Sequence, residues 1–327
     1  MIVATQTDIS VIICTRNRAA SLERTLISAT ALNIPDGVNW ELLIVDNGSS
    51  DTTPAVVASF ADRLPARYVV EVVAGLSNAR NRGVAEARGA LICWTDDDVE
   101  LDPEWLAAYH AAAAQFPEAA FFGGNVTPVL EGPTSAWFTR LLAEPEIQSL
   151  MARRSFASTV RLAADGGLPY GANFAVRTAE QRRHRYDPLL GVSPSHSRSG
   201  EETAVILGII AQGCIGLSVP SSNVHHMIPA SRQTREYIWS FHRAVGETWA
   251  LLSMQQTHPN FMGPSIESRW HFLGIPIWVG RVAIQSWCAS LVNVMLGHDL
   301  LWLKSTSCAA RHWGAAVFLF QNRRKSQ

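Results

Sequence analysis

Along the first 120 residues, short unbroken apolar runs alternate with amphipathic stretches, the pattern of a parallel sheet covered by helices. Ile9 to Cys14 and Trp40 to Val45 are continuous β-rich runs suited to strands buried on both faces. Further strands are predicted at Tyr68 to Val73 and Ala90 to Thr95. Helices are predicted over about Ala20 to Leu32, Pro54 to Phe60 and Ser77 to Ala87, with another starting near Pro103. Beyond about Phe116 the pattern loosens into short strands and loops, punctuated by Gly123-Gly124-Asn125 and Pro169-Tyr170-Gly171-Ala172-Asn173. A helix over Glu201 to Gln212 is apolar nearly all round, which predicts burial. After about Arg235 the chain turns helical and Trp-rich. The fold class is α/β: a Rossmann-like mixed, mainly parallel sheet with flanking helices and a C-terminal helical extension.

Composition narrows the picture. Of the 327 residues 47% are hydrophobic and 17% charged, against about 25% charged in an average soluble domain, which excludes a mainly disordered chain. A net charge of −1 gives no general attraction to nucleic acid, so none is expected as a partner. The five cysteines are widely spaced, odd in number and form no CxxC pair, so they read as reduced and cytosolic. Met1 to Asp8 lacks the basic start and apolar run of a secretory signal.

Candidate chemistry gathers at three strand ends: Thr15 to Arg18, Asp46 to Asp51, and Asp96-Asp97-Asp98. Open α/β sheets bind ligands at the carboxyl ends of their strands, so topology gathers these groups into one cleft. Three successive aspartates repel one another unless solvent or a cation screens them, and Mg²⁺ or Mn²⁺ takes carboxylate oxygens while sharing its shell with phosphates. In an extended segment Asp96 and Asp98 share one side and Asp97 faces the other. The plainer alternative is a solvated acidic loop capping the next helix. A carboxylate-nucleophile phosphatase also ends a strand in Asp-x-Asp, but Glu100 stands where that pattern has Thr or Val, and its motif closes the first strand, not the fourth.

Taken together, several segments resemble the family 2 glycosyltransferases, which have the nucleotide-sugar-binding GT-A fold. They are Ser10 to Arg18, Glu41 to Thr53, Gly75 to Gly83, Asp96 to Asp98, Gly171 to Arg177, Gly200-Glu201-Glu202, and Pro220 to Arg232 with His226. The resemblance covers about residues 8 to 235 in the family's order. It implies that residues 1–115 bind the nucleotide sugar and 116–235 form the metal and acceptor half of the same catalytic domain; the Trp-rich helical pattern of 236–327, beyond the resemblance, reads as a C-terminal region that a membrane surface would suit. The resemblance further implies that Thr15, Arg18, Asp46 and Arg80 hold the nucleotide base, that Asp96, with Asp97 beside it, lies near the ribose, and that Arg232 reaches the diphosphate. Asp98 matches the metal ligand, and His226 a histidine that contacts the metal or diphosphate. Rival readings are an Asx-turn for Asp46, a solvated helix face for Arg80 and Arg82, and a structural role for His226; His225 and His226 point to opposite sides if extended.

Inverting glycosyl transfer needs a carboxylate to take the acceptor's proton and a cation to offset charge on the leaving diphosphate. The resemblance makes Glu202 the base, with Glu201 as fallback; helix capping is the rival reading. Relatives often carry an acidic residue two positions later, where this chain has Ala204. The implied activity is metal-dependent transfer, of hexosyltransferase type, from a nucleotide diphosphate sugar to a lipid-linked saccharide or growing surface polysaccharide. A catalytically silent nucleotide-sugar-binding or interaction module is the alternative.

Between Phe272 and Leu296 the chain is strongly apolar, but Pro276 and Arg281 argue against a spanning helix. An interfacial helix fits better, with Trp278, Trp287, Trp302 and Trp313 at headgroup depth and Arg311, Arg323, Arg324 and Lys325 near anionic lipid. That places the protein in the cytoplasm, peripheral on the inner face of the cell membrane. A soluble helical packing domain is the alternative.

Overall fold

The computed structural model describes residues 7–163, 167–255, 266 and 268–323. Packing divides the chain into two units: Met1–Val129, Ala152–Pro194 and Glu201–Met227 form the first, and Leu130–Met151, Ser195–Gly200 and Ile228–Gln327 the second.

The first half of the first unit alternates as expected: β1 (Ile9–Thr15), α1 (Ala19–Ala29), β2 (Trp40–Asp46), α2 (Thr53–Ala58), β3 (Ala66–Val70), α3 (Leu76–Glu86) and β4 (Leu91–Asp96). Then follow β5 (Val99–Leu101), α4 (Trp105–Gln115) and β6 (Ala119–Leu130), and, after two short helices of the second unit, α5 (Ala136–Arg140) and α6 (Pro145–Leu150), β7 (Arg161–Leu162), β8 (Asn173–Arg177), α7 (Thr178–Arg183), α8 (Glu201–Ala211) and β9 (Ile215–Ile228). Among the described residues these strands form one sheet in the order β3-β2-β1-β4-β8-β6-β9-β5, with β7 beside β9. Pairing is parallel from β3 to β4 and antiparallel where β8 meets β4 and β6. The mixed sheet and its helices are those expected. Val11, Ile12, Ile13, Leu43 and Ile44 are fully buried because helices cover both faces of the central strands.

One expectation fails. The region after Phe116 is not made of short strands alone: beside the short β7 and β8 it holds β6, of 12 residues, and β9, of 14. Gly124 and Gly216, inside these two strands, mark close backbone approach, not loops. A Cβ on Gly124 would lie 2.3 Å from Asn173 Nδ2, and one on Gly216 would lie 2.1 Å from the Phe121 ring. Helix α8 buries Val205, Ile206, Leu207 and Ile209, as its apolar run predicts.

The second unit holds α9 (Arg235–Gln255), the hairpin β10 (His271–Phe272) and β11 (Ile275–Pro276), α10 (Ile277–Met295) and α11 (Asp299–Asn322). Helices α9 and α11 touch backbone to backbone: a Cβ on Gly246 would lie 1.8 Å from the Arg311 carbonyl oxygen, and one on Gly314 2.0 Å from that of Arg243. The tryptophans divide in a way the sequence reading did not anticipate. Trp302 is buried with Phe138, Leu141, Ile238 and Leu303, its ring edge-on to Trp137 and capped by Arg235 at 4.5 Å. Trp278 is half-buried and packs with Trp249 and His312. Neither is placed for headgroup contact, because helix packing supplies an apolar neighbour first; Trp287 and Trp313 remain exposed. Arg311 and Arg323 are half-buried, and Arg324 and Lys325 lie outside the described residues. No described helix is long and apolar enough to cross a membrane.

Candidate active site

Parallel register carries three strand ends to one edge. Thr15 lies opposite Asp46 across β1 and β2, and Cys14 opposite Asp96 across β1 and β4. The Thr15 hydroxyl donates to Asp97 Oδ2 at 2.7 Å. Arg18 joins the next two carboxylates, with Nε 3.3 Å from Asp97 and Nη2 donating to Asp98 at 2.8 Å. On the far side His226 Nε2 lies 3.5 Å from Asp98 Oδ1, placed there because Val99 pairs with His226 between β5 and β9.

The expected alternation of the aspartates does not hold. Asp97 and Asp98 form a turn between β4 and β5, so both face Arg18, while Asp96, at the end of β4, lies 3.5 Å from Arg80 Nη2. Burial pushes Asp97 up to about 7, against the pull of Arg18. Burial disfavours the Arg18 charge, but Asp97 and Asp98 more than offset this and its pKa rises.

Asp46 is engaged by its own surroundings. Its Oδ1 accepts the Ser49 amide at 2.8 Å and its Oδ2 accepts the Tyr68 hydroxyl. Arg80 and Arg82 part company: Arg82 is exposed and pairs with Glu86 one turn on, whereas Arg80 is 3% exposed. Its guanidinium lies 5.4, 5.7 and 5.5 Å from the ring centres of Trp94, Phe174 and Tyr186, an aromatic box that the motifs did not reveal. Gly171 makes room for it, because a Cβ there would come within 2.5 Å of Arg80 Nη2.

Beyond the box, Arg80 Nε lies 3.7 Å from Glu201 Oε1. Glu201 and Glu202 open α8, where the helix dipole favours negative charge. Burial, then the charge of Glu202, push Glu201 up to about 8 against Arg80. Burial also raises Glu202, which accepts a hydrogen bond from the Gly171 backbone. Arg80 thus bridges Asp96 at the strand edge to the paired glutamates.

The first unit therefore brings together Thr15, Arg18, Arg80, Asp96, Asp97, Asp98, His226 and Glu201, with Asp46 beside Thr15 in register and Glu202 next to Glu201. His225 is exposed and His226 buried, the expected opposition along a strand. Arg232 belongs to the second unit, in the 3₁₀ turn Ala230–Arg232. Sequence reasoning assigned no role to Asn173, whose Oδ1 accepts Trp105 and Tyr109 at 2.7 Å each and whose Nδ2 donates to the Asn125 and Ser222 carbonyls. It ties α4, β6 and β9 to β8, immediately behind Gly171; the only signal for it was its place in the Gly171-Ala172-Asn173 run.

The donor set suits a hard divalent ion. Among the described residues no three His, Cys, Asp or Glu side chains form a closed metal cage. Mg²⁺ and Mn²⁺ sites next to phosphates need only one or two carboxylates, and Asp98, with His226 Nε2 3.5 Å from it, is the group that would hold such an ion.

Residues 10–167 match the sequence pattern of Glycosyl transferase family 2. This segment is a family 2 glycosyl transferase sequence. Validoxylamine A glucosyltransferase of Streptomyces hygroscopicus subsp. jinggangensis is 38% identical over 112 residues, 32% of this chain and 25% of that protein, so the match spans a quarter of its length. The undecaprenyl-phosphate 4-deoxy-4-formamido-L-arabinose transferase of Enterobacter sp. is 26% identical over 296 residues, 88% of this chain and 81% of that protein. Among solved structures, S. aureus TarS 1-349 in complex with UDP-GlcNAc superposes with a TM-score of 0.58 at 14% identity, covering 98% of this chain and 93% of that one. The mannosyltransferase PcManGT from Pyrobaculum calidifontis, with GDP-Man and Mn²⁺, gives 0.58 at 16%, covering 97% and 88%. At such identities these structures speak for the fold, which is GT-A.

Proposed function

We propose that the protein transfers a hexosyl group from a nucleoside diphosphate sugar to a hydroxyl of a lipid-linked saccharide or growing surface polysaccharide, with inversion at the anomeric carbon. The observation that carries this reading is the bridge made by Arg80, which links the acidic edge of the sheet to the glutamate pair opening α8. Thr15, Arg18, Asp46, Arg80, Asp96 and Asp97 hold the nucleotide sugar; Asp98 and His226 are the residues that would hold Mg²⁺ or Mn²⁺. When bound, the ion offsets negative charge on the leaving diphosphate. Residues 1–115 form the donor half, 116–235 the acceptor half, and 236–327 a helical region.

Glu202 is the base. Its carboxylate accepts the acceptor hydroxyl's proton as the oxygen attacks the anomeric carbon, and the anomeric bond to the diphosphate breaks in the same displacement. Glu201, paired to Arg80, fixes the start of α8 and so the place of Glu202. A relative named for undecaprenyl phosphate and solved neighbours named with UDP-GlcNAc and GDP-Man support the lipid-linked acceptor and the donor class. The same acceptor class supports a cytoplasmic location on the inner face of the cell membrane.

A thermal-shift screen of nucleoside diphosphates with and without Mn²⁺, followed by transfer assays with the sugars of whichever base stabilises, tests the reading. Stabilisation by one base with metal, and turnover of its sugar, are expected. Binding without turnover would leave a silent module instead.

A further inference from the structure

Among the described residues, the second unit carries an apolar surface that its own packing leaves uncovered. The hairpin of β10 and β11 turns through Leu273 and Gly274, with φ of 53° and 80°. Two successive positive φ angles suit Asn and Gly, because a Cβ crowds the next carbonyl. Leu273 accepts that strain, yet it is 55% exposed, beside Phe272 at 70% and Trp270 at 74%. The leucine therefore gains no burial among the described residues in return.

Helix α10 continues the surface. Ile284, Trp287, Leu291 and Met295, spaced three or four apart on one face, are between 44% and 77% exposed. An apolar patch of this extent marks an interaction site. Its charge says with what. From Ser268 to His298 the sequence contains Arg269 and Arg281, both exposed, and no Asp or Glu. Glu267 immediately precedes this stretch and lies outside the described residues, and Asp299, which follows it, is taken by Arg140 and Arg235. A second copy docked on this face would set two exposed arginines from each side against one carboxylate adjacent in sequence, Glu267, from each. An anionic bilayer supplies the negative charge, an apolar interior for Phe272 and Leu273, and a headgroup layer for the indoles of Trp270 and Trp287.

We propose that the β10–β11 hairpin and the outer face of α10 dock on an anionic lipid bilayer, with the hairpin tip among the acyl chains. This deepens the lipid-linked acceptor reading, on which it rests, by naming the surface that holds the enzyme where such acceptors lie.

The test is flotation of the full-length protein with phosphatidylcholine vesicles, with or without phosphatidylglycerol, in the absence of donor and acceptor. The protein is expected to float with the anionic vesicles about tenfold more than with the neutral ones. Leu273→Asp with Met295→Asp, and separately Arg269→Ser with Arg281→Ser, should each lose about tenfold of that binding. Unchanged melting and nucleotide-induced stabilisation will show that the variants are folded. Docking is overturned if folded variants float like the parent, if the parent binds neither vesicle, or if the parent sediments as a dimer that these substitutions dissociate. Lost flotation with intact transfer to a soluble acceptor sinks only the docking. Flotation without transfer of any sugar sinks the glycosyltransfer reading instead.

Discussion

Arg80 Nε and Glu201 Oε1 lie 3.7 Å apart in the interior of the first unit, at 3% and 4% residue exposure. Neither charge has ready access to water, so each depends on the other and on nearby polar groups. Above about pH 8, where Glu201 is ionised, removing one member of such a pair costs about 3–5 kcal/mol, because the partner is left charged and buried. Arg80→Ala should lose stability of that order in urea unfolding. Arg80→Lys should recover part of it, since an ammonium keeps the charge but not the planar stacking against Trp94, Phe174 and Tyr186. A loss below about 1 kcal/mol, the scale of an exposed pair, would mean that the bridge contributes nothing.

Gly171 offers a subtler test. A methyl group there meets Arg80 Nη2 at 2.5 Å, so Gly171→Ala must push the guanidinium away from Asp96 and Glu201. The expected result is a folded protein, destabilised by about 1–3 kcal/mol, whose turnover falls more than its nucleotide affinity. Equal turnover in variant and parent would argue that the position of Arg80 does not matter to the reaction.

Replacing Glu202 by Gln should reduce transfer by about 10²–10⁴-fold while nucleotide-induced stabilisation persists. Glu201→Gln should cost less, as expected of a group that positions its neighbour. If Glu201→Gln is the more damaging in kcat and Glu202→Gln is mild, the two assignments exchange places.

The pH dependence follows from burial. Burial and the Glu202 charge raise Glu201 from 4.5 to about 8, and burial raises Glu202 as well. The pair titrates as a unit, and the base acts only when ionised. Transfer should therefore rise with pH, by up to about tenfold per unit, and level off above about pH 8. Glu201→Gln removes the second carboxyl and should move this limb to lower pH. Stability runs the other way. Between 4.5 and about 8 the folded state keeps a proton that the unfolded chain has lost, so this group's contribution falls as pH rises through that window. A flat rate profile across the window would exclude the pair as the base.

In the second unit, Gly246→Ala places a Cβ 1.8 Å from the Arg311 carbonyl oxygen. Backbone cannot yield as a side chain does, so α9 and α11 must separate. The variant should melt at a lower temperature, by about 1–3 kcal/mol of stability. An unchanged melting curve would mean that the helices slide past each other at little cost.

Much of the first unit was legible in the sequence because buried parallel strands are written as continuous apolar runs with polar residues at their ends. Ile9 to Cys14 and Trp40 to Val45 became β1 and β2 with one residue added to each. The register that sets Thr15 beside Asp46 follows from that pairing. The region after Phe116 was harder, because Gly124 looks like a loop residue until the side chain it accommodates, Asn173, is in place.

The sequence by itself determined the elements, the polar strand ends and the candidate carboxylates, since periodicity and turn chemistry are local. Only the tertiary structure decided which groups share a charge. It turned Asp97 and Asp98 together onto Arg18, sent Asp96 to Arg80, and joined Arg80 across more than a hundred residues to Glu201. It also sorted the tryptophans, burying Trp302 and leaving Trp270 and Trp287 in the open. Ion pairs and exposure depend on which distant segments pack nearby, and no local pattern of apolar and polar residues carries that information.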